Sequence, residues 1–285
     1  MKDLKEALTK EYLAKLGAVS IALRQKLSVN GYSGARRSSA KGSSLEFSDY
    51  RNYVAGDDLR RVDWNNYARF GKLYLKLFLE EKQGAVNVFL DVSGSMQQDD
   101  KFLTAKKMAA SFAYIGLQGG DNVNLFLWGQ GVIAKKQNVM QKGRFLELVS
   151  FLDEQTPKGD TRFYDAIKTC GNLHRGISIV ISDFMTDSQI EQGVALLQQK
   201  RQDVILLQVL LQEEEKPQGG QALRLTDSET NHTLDVELTG DVLALYEKAL
   251  QKHRTALAEY CKKRAVGFHY MTEQQDCLKM MYQIL

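Results

Sequence analysis

Apolar residues first recur at three- and four-residue intervals. Leu4, Leu8, Tyr12, Leu16, Val19 and Leu23 follow this spacing, with charged residues opposite them. That period predicts an amphipathic helix that fades near residues 28–31. Residues 31–44 are rich in Gly, Ser, Arg and Ala, show no period and read as a loop. Leu73, Leu75, Leu77 and Leu79 then alternate with other residues, the period of a strand. Gln83 and Gly84 make a turn into a second, mostly apolar strand over 86–90.

From there strands and helices alternate. A helix carries Phe102, Ala105, Met108, Ala109, Phe112 and Ile115 on one side. A strand follows over 123–128, then a short edge strand over 131–134. Helices are expected over 143–152 and 161–173, a buried strand over 177–182, a helix over 188–200 and a strand over 204–211. A polar loop, 212–221, leads to two short strands, 223–226 and 233–238, joined by a turn over 227–231. A long helix over 241–264, capped by Thr239, Gly240 or Asp241, a strand over 267–271 and a helix over 273–285 finish the chain. The order predicts an α/β fold: a doubly wound, mainly parallel sheet with helices on both faces. No internal repeat is visible. The domain reading places an N-terminal helix, loop and extended arm in 1–82, packed on a sheet domain in 83–285.

Composition changes this picture little. The 285 residues are 44% hydrophobic and 26% charged, with only 2 prolines, as in an ordinary globular chain. A net charge of +3 argues against a dedicated nucleic-acid binder. The 3 cysteines, Cys170, Cys261 and Cys277, have no metal-ligand spacing and read as thiols in a reducing compartment. His174, His232, His253 and His269 are scattered, and Trp128 reads as core. The longest apolar runs fall far short of the roughly 20 residues that span a bilayer. The first residues lack a signal-peptide core. The expected location is the cytoplasm, without membrane insertion.

Ligands of doubly wound sheets bind beyond the carboxyl ends of the strands. Asp91-Val92-Ser93-Gly94-Ser95 follows the 86–90 strand, Asp183 follows the 177–182 strand, and Thr161 stands at a helix start between them. Asp91, Ser93, Ser95, Thr161 and Asp183 are hard oxygen donors, suited to Mg²⁺, Mn²⁺ or Ca²⁺ rather than zinc. So few carboxylates leave an ion partly unneutralised and able to take a carboxylate from outside. The bland alternative is a loop whose Asp and Ser cap the next helix. Phosphoryl-transfer and ester chemistries fit poorly. Ser93 stands where a haloacid-dehalogenase-type phosphatase needs a second Asp. There is no Walker-type run, and Val92 breaks a nucleophile elbow.

Asp91-x-Ser93-x-Ser95, Thr161 and Asp183 resemble, in order and placement, the metal-ion-dependent adhesion site of von Willebrand factor A domains. The resemblance implies direct metal bonds from Ser93 and Ser95, a direct or water-mediated one from Thr161, and Asp91 and Asp183 holding waters or orienting ligands.

A second distinctive segment precedes the sheet domain. Phe47, Tyr50, Arg51, Tyr53, Asp57, Asp58, Arg60, Arg61, Asp63, Trp64 and Arg69 interleave aromatics and charges. Gly56 suggests a tight turn. Arg51, Arg60, Arg61 and Arg69 are placed to pair with Asp57, Asp58 and Asp63 in bidentate bridges. Arg51, Asp57, Asp58, Arg60, Asp63, Trp64 and Arg69 are candidate partner-binding residues. A structural clamp holding the arm is the equal alternative, and the interspersed acids speak against nucleic acid. The run from Glu46 to Trp64, continuing to Glu80, is similar to the signature of the bacterial family called domain of unknown function 58, whose members carry it ahead of an A-type domain. Many relatives have membrane helices before this motif, so this chain reads as a soluble short form. The resemblance implies a non-enzymatic adaptor or chaperone-like module paired with a MoxR-type AAA+ ATPase. A metal-dependent hydrolase or phosphatase using the same cation is the rival; its candidate bases are Asp160 and Asp99.

Overall fold

The computed structural model describes residues 3–29, 45–54, 57–80, 84–185, 189–219, 222–226 and 233–285. The loop expected over 31–44, the Gly56 turn, Gln83, the turn over 227–231 and His232 lie outside the described residues. In chain order the elements begin with α1 (Leu4–Ala7), α2 (Lys10–Val29), β1 (Leu45–Asn52), α3 (Trp64–Phe70), β2 (Tyr74–Glu80), β3 (Ala85–Asp91), α4 (Asp99–Gly119), β4 (Asn122–Trp128), β5 (Val132–Val139) and α5 (Phe145–Asp153). They continue with α6 (Phe163–Thr169), β6 (Gly176–Ser182), α7 (Ile190–Gln199), β7 (Gln202–Leu210), α8 (Gln212–Glu215), β8 (Ala222–Thr226), β9 (Thr233–Glu237), α9 (Gly240–Lys263), β10 (Gly267–Thr272) and α10 (Cys277–Ile284).

Six strands form one sheet in the order β10-β7-β6-β3-β4-β5. All neighbours pair parallel except β4 and β5, which run antiparallel at one edge. The period of two sends alternate residues to opposite faces. Val86, Val88 and Leu90 of β3 join one core with α1, α4, α5 and α10, whereas Phe89 joins a second core with α6, α7 and α9. The Phe89 and Phe126 rings stack there with centroids 4.6 Å apart. Each large apolar side chain so buried contributes about 1.5–3 kcal/mol. Two filled faces are what a doubly wound sheet requires.

Buried polar side chains cross the sheet near the amino ends of its strands. Asn124 Nδ2 donates to Asn87 Oδ1 at 2.8 Å, Asn87 Nδ2 to Gln202 Oε1 at 2.9 Å, and the Ser178 hydroxyl to the same Gln202 oxygen at 3.1 Å. Such a chain ties β4, β3, β6 and β7 in one register, because a one-residue slip leaves buried amides unpaired.

Contacts group Met1–Leu23 with Gly84–Leu285 and set Arg24–Gln83 apart. α1 and the first part of α2, up to Leu23, are thus grouped with the sheet, and the rest of α2 with the second unit. Leu4, Leu8, Tyr12 and Leu16 lie in the first core, and the Tyr12 hydroxyl meets Ser111 Oγ at 2.7 Å. The expected single helix breaks at Leu8 and Thr9, where Thr9 Oγ1 accepts from Tyr12 N. Other differences are local. β5 is longer than the expected edge strand, α6 is confined to Phe163–Thr169, and α10 starts at Cys277 behind an Asp276 cap. The polar loop over 212–221 contains α8. Thr239 caps α9, its hydroxyl accepting from Val242 N. The three cysteines are buried and unpaired, and Trp128 is fully buried. Among the described residues no helix is long and apolar enough to cross a membrane.

In the second unit β1 and β2 form an antiparallel pair with an irregularity between Phe47 and Asp49. The strand β1 was not foreseen, because its aromatic and charged residues show no clean alternation.

Candidate metal centre

After β3 the chain passes to β4 on one side, and β6 later joins β3 on the other. The carboxyl ends of β3 and β6 thus flank a switch point, where the following loops diverge and leave a crevice. Asp91 ends β3, and Ser182 ends β6 with Asp183 next. The loop before α6 is drawn to the same place: Gly94 N donates to Gly159 O at 2.7 Å, and Lys158 N to Val92 O at 2.8 Å. Backbone bonds thus join the first two of the three loops expected at one sheet edge, and the Ser182 hydroxyl ties the third to Asp91.

Asp91 is fully buried. Its Oδ1 accepts from Ser93 N at 2.9 Å, and its Oδ2 accepts from the Ser182 hydroxyl at 2.6 Å and from the Thr161 hydroxyl at 3.4 Å. The Ser93 and Ser95 hydroxyls lie 3.2 Å apart. Neither serves as a helix cap. Ser93 precedes the 3-10 turn Gly94–Met96 without a side-chain cap bond, and Gln98 stands at the start of α4. The helix-capping alternative thus explains only the bond from Ser93 N to Asp91. Ser93, Thr161 and Asp183 are buried and Ser95 is half-buried.

Asp183 is held from several sides. Its Oδ2 accepts from Lys101 Nζ at 2.8 Å, its Oδ1 from Met185 N at 3.2 Å, and its carbonyl from Gln208 Nε2 at 2.7 Å. The chain turns at Phe184, whose φ of 50° is rare for a bulky residue. Phe184 N donates to Ser182 Oγ at 3.1 Å, and His253 Nε2 donates to the Phe184 carbonyl at 2.7 Å.

Lys101 is the residue that sequence reasoning missed. It is 1% exposed, and its ammonium also donates to Ser95 O and Glu214 Oε1, each at 2.9 Å. Burial opposes its charge, but Asp183 and Glu214 outweigh that and hold it above the ordinary lysine value. A signal was present. Lys101 continues the inward stripe of Ala105, Met108 and Phe112, where a hydrophobe is the norm. Glu214 gave no such signal, since its loop had no period. Behind Asp183 the network continues: Arg254 Nε donates to Gln208 Oε1 and Arg254 Nη1 to Glu215 Oε1, each at 2.9 Å.

The donor set fits a hard divalent cation in its chemistry. Burial, and then the Asp183 carboxylate, push Asp91 up to about 7 against the hydrogen bonds of Ser182 and Ser93. A cation held here would relieve that repulsion and favour the ionised form of Asp91. Among the described residues no three His, Cys, Asp or Glu side chains gather to hold a metal. A cation here would therefore depend on the hydroxyls of Ser93, Ser95 and Thr161, which suits Mg²⁺ and not a soft metal.

The arm places its charged residues differently. Arg51 and Asp57 form a two-pronged pair, both bonds 2.7 Å, and Asp57 also accepts from Val54 N. Asp58 accepts from Arg60 N at the start of a 3-10 turn. Asp63 caps α3 through Asn65 N and Asn66 N and accepts from the Tyr50 hydroxyl at 2.8 Å. One expected Arg–Asp bridge is therefore present among the described pairs; the Arg61 side chain lies outside the described part. Arg60 and Arg69 are exposed, and Trp64 is exposed with its ring edge-on to Tyr67.

A family model described as "Protein of unknown function DUF58" matches residues 49–256. No curated protein matches. Among solved structures the chain is similar to the conserved hypothetical protein BatB from Bacteroides thetaiotaomicron, at 16% identity and a TM-score of 0.44, over 70% of this chain and 96% of that one. It is also similar to an aerotolerance-related membrane protein from Bacteroides fragilis NCTC 9343 carrying multiple mutations to serines, at 16% identity and a TM-score of 0.42, with the same coverage.

Proposed function

The chain belongs to the DUF58 family, and on that premise we propose that its sheet unit is a von Willebrand factor A-type, metal-dependent protein-interaction module without catalytic activity, working in the cytoplasm. The ion is Mg²⁺, or Mn²⁺ or Ca²⁺, held by Ser93, Ser95 and Thr161 with Asp91 and Asp183 behind them. It takes an acidic side chain from a protein partner, for which the family resemblance implies a MoxR-type AAA+ ATPase. The role is that of an adaptor or chaperone-like companion.

One observation carries this reading. Hydroxyls and carboxylates from three loops converge at the switch point of the sheet, and the serine hydroxyls are not used as helix caps. Hydroxyls leave a bound divalent ion with residual positive charge, which draws an outside carboxylate. The hydrolase alternative gains no support from its candidate bases. The Asp160 carboxylate accepts from Gln130 Nε2 at 2.8 Å, and Asp99 lies exposed in the first turn of α4.

The test is affinity capture from cell extract with the full chain, with Mg²⁺ or with a chelator. The expected result is an ATPase retained only with Mg²⁺ and lost in the Ser95→Ala/Thr161→Val variant, whose near-ultraviolet circular dichroism stays that of wild type. Retention indifferent to both the chelator and the substitutions would overturn the proposal.

A further inference from the structure

Three features outside the donor set compete for attention. The exposed aromatic face of Trp64, Tyr67 and Phe70 on α3 has nothing to say what covers it. The amide chain across the sheet is fully accounted for by register. The buried ammonium of Lys101, in contrast, touches the candidate cation centre directly and has no counterpart in a ligand list of hydroxyls and carboxylates.

Its geometry is specific. Lys101 Nζ binds Asp183 Oδ2, the carbonyl oxygen of Ser95 and Glu214 Oε1, all within 2.9 Å. Two of these three acceptors belong to residues of the donor set itself. The third reaches in from α8, where Glu214 Oε2 also accepts from Leu211 N and the Tyr246 hydroxyl donates to the Glu214 carbonyl. The lysine side chain is 1% exposed and that of Glu214 is 33% exposed, so Lys101 has little water to turn to. Arg254 and Glu215 brace the other end of the same turn.

We infer that Lys101 is an internal cation that competes with the bound metal for Asp183, and that Glu214 sets the strength of this competition. The inference rests on the cation reading of the site. A divalent ion among Ser93, Ser95, Thr161 and Asp183 sits close to a fixed positive charge in a buried setting, where like charges repel strongly. Asp183 cannot serve both cations fully. Glu214 offsets the repulsion by keeping a negative charge against the Lys101 ammonium. The centre is thereby tuned to weak, exchangeable ion binding, and the position of α8 is linked to whether the ion is present.

Two substitutions must then act in opposite directions. Lys101→Met keeps the length of the stem and removes the charge, so Mg²⁺ should bind roughly tenfold or more tightly. Mg²⁺ should also raise the Tm of this variant more than that of wild type, because Asp183 has lost its internal partner. Glu214→Gln keeps the shape and leaves Lys101 less compensated, so Mg²⁺ should bind several-fold more weakly, on the order of threefold to tenfold. A merely structural role for the lysine would weaken binding in both.

The experiment is calorimetric titration of Mg²⁺ and Mn²⁺ into chelator-treated full chain, as wild type, Lys101→Met and Glu214→Gln, with thermal melts alongside. Tighter binding in the first variant and weaker binding in the second supports the inference. Unchanged or weaker binding in folded Lys101→Met, or unchanged binding in Glu214→Gln, overturns it while leaving the cation centre standing. If Lys101→Met does not fold, Lys101→Gln, which removes the charge and keeps a donor for these acceptors, takes its place and must bind Mg²⁺ more tightly than wild type. Absence of binding in all three proteins overturns the cation reading and this inference together.

Discussion

Aspartates of the arm and aspartates of the sheet edge start from the same chemistry and end in different work. In the arm, Asp57 meets Arg51, Asp58 meets the backbone of Arg60, and Asp63 meets Asn65, Asn66 and the Tyr50 hydroxyl, all within 13 residues along the chain. At the sheet edge, Asp91 takes its shortest bond from Ser182, 91 residues away, and Asp183 from Lys101, 82 residues away. Partners close in sequence brace turns and helix starts. Partners far apart in sequence meet only once the sheet is built, and there burial makes each charge consequential. The difference separates a segment stabilised by local caps from a site whose charges await compensation.

Breaking the sheet-edge network should have the largest effect. Asp183→Leu leaves Lys101 buried beside a partly exposed Glu214, and should destabilise the fold by about 3–5 kcal/mol in denaturant titration. The double variant Lys101→Met/Asp183→Leu should recover most of that loss, since neither partner of this buried pair is then left without the other. Next comes the packing beneath the Thr161 loop. A Cβ at Gly193 would lie 2.4 Å from the buried Phe163 ring. Gly193→Ala should cost about 1–3 kcal/mol, seen as a lower Tm. In the arm the effect should be smaller and local. Asp63→Ala removes a helix cap and should cost about 0.5–2 kcal/mol, with Mg²⁺ affinity unchanged in calorimetry. Smallest of all, Arg51→Ala should leave the Tm within error, because its pair with Asp57 is open to solvent and screened by salt. An Arg51 variant as damaging as Asp183→Leu would erase the contrast between the two regions.

The same contrast governs what was legible in the sequence. Alternation and helical period exposed β3, β4, β6, β7 and the long helices to within a few residues, because each buries a face whose pattern is local. The placement of Asp91, Thr161 and Asp183 at one edge followed from the sheet rule and not from any one segment. What escaped were interactions without period. Lys101 looked like an ordinary helix lysine until its inward position was seen, and Glu214 sat in a stretch that read only as polar. What the N-terminal helices pack against was hidden too, since the amphipathic pattern of Leu4 to Leu16 says that a face is buried and not against what. In the arm, β1 was missed because its side chains do not alternate, although the Asp63 cap ahead of Trp64 was readable in principle.

The most direct test of the cation centre is a Mn²⁺ titration of the full chain followed by electron paramagnetic resonance. The expected result is saturable, stoichiometric loss of the free Mn²⁺ signal, reversed by excess Mg²⁺ and absent in Asp91→Asn/Ser93→Ala. A free-ion signal that wild type leaves undiminished, or binding that survives those two substitutions, would contradict a metal centre at this edge of the sheet.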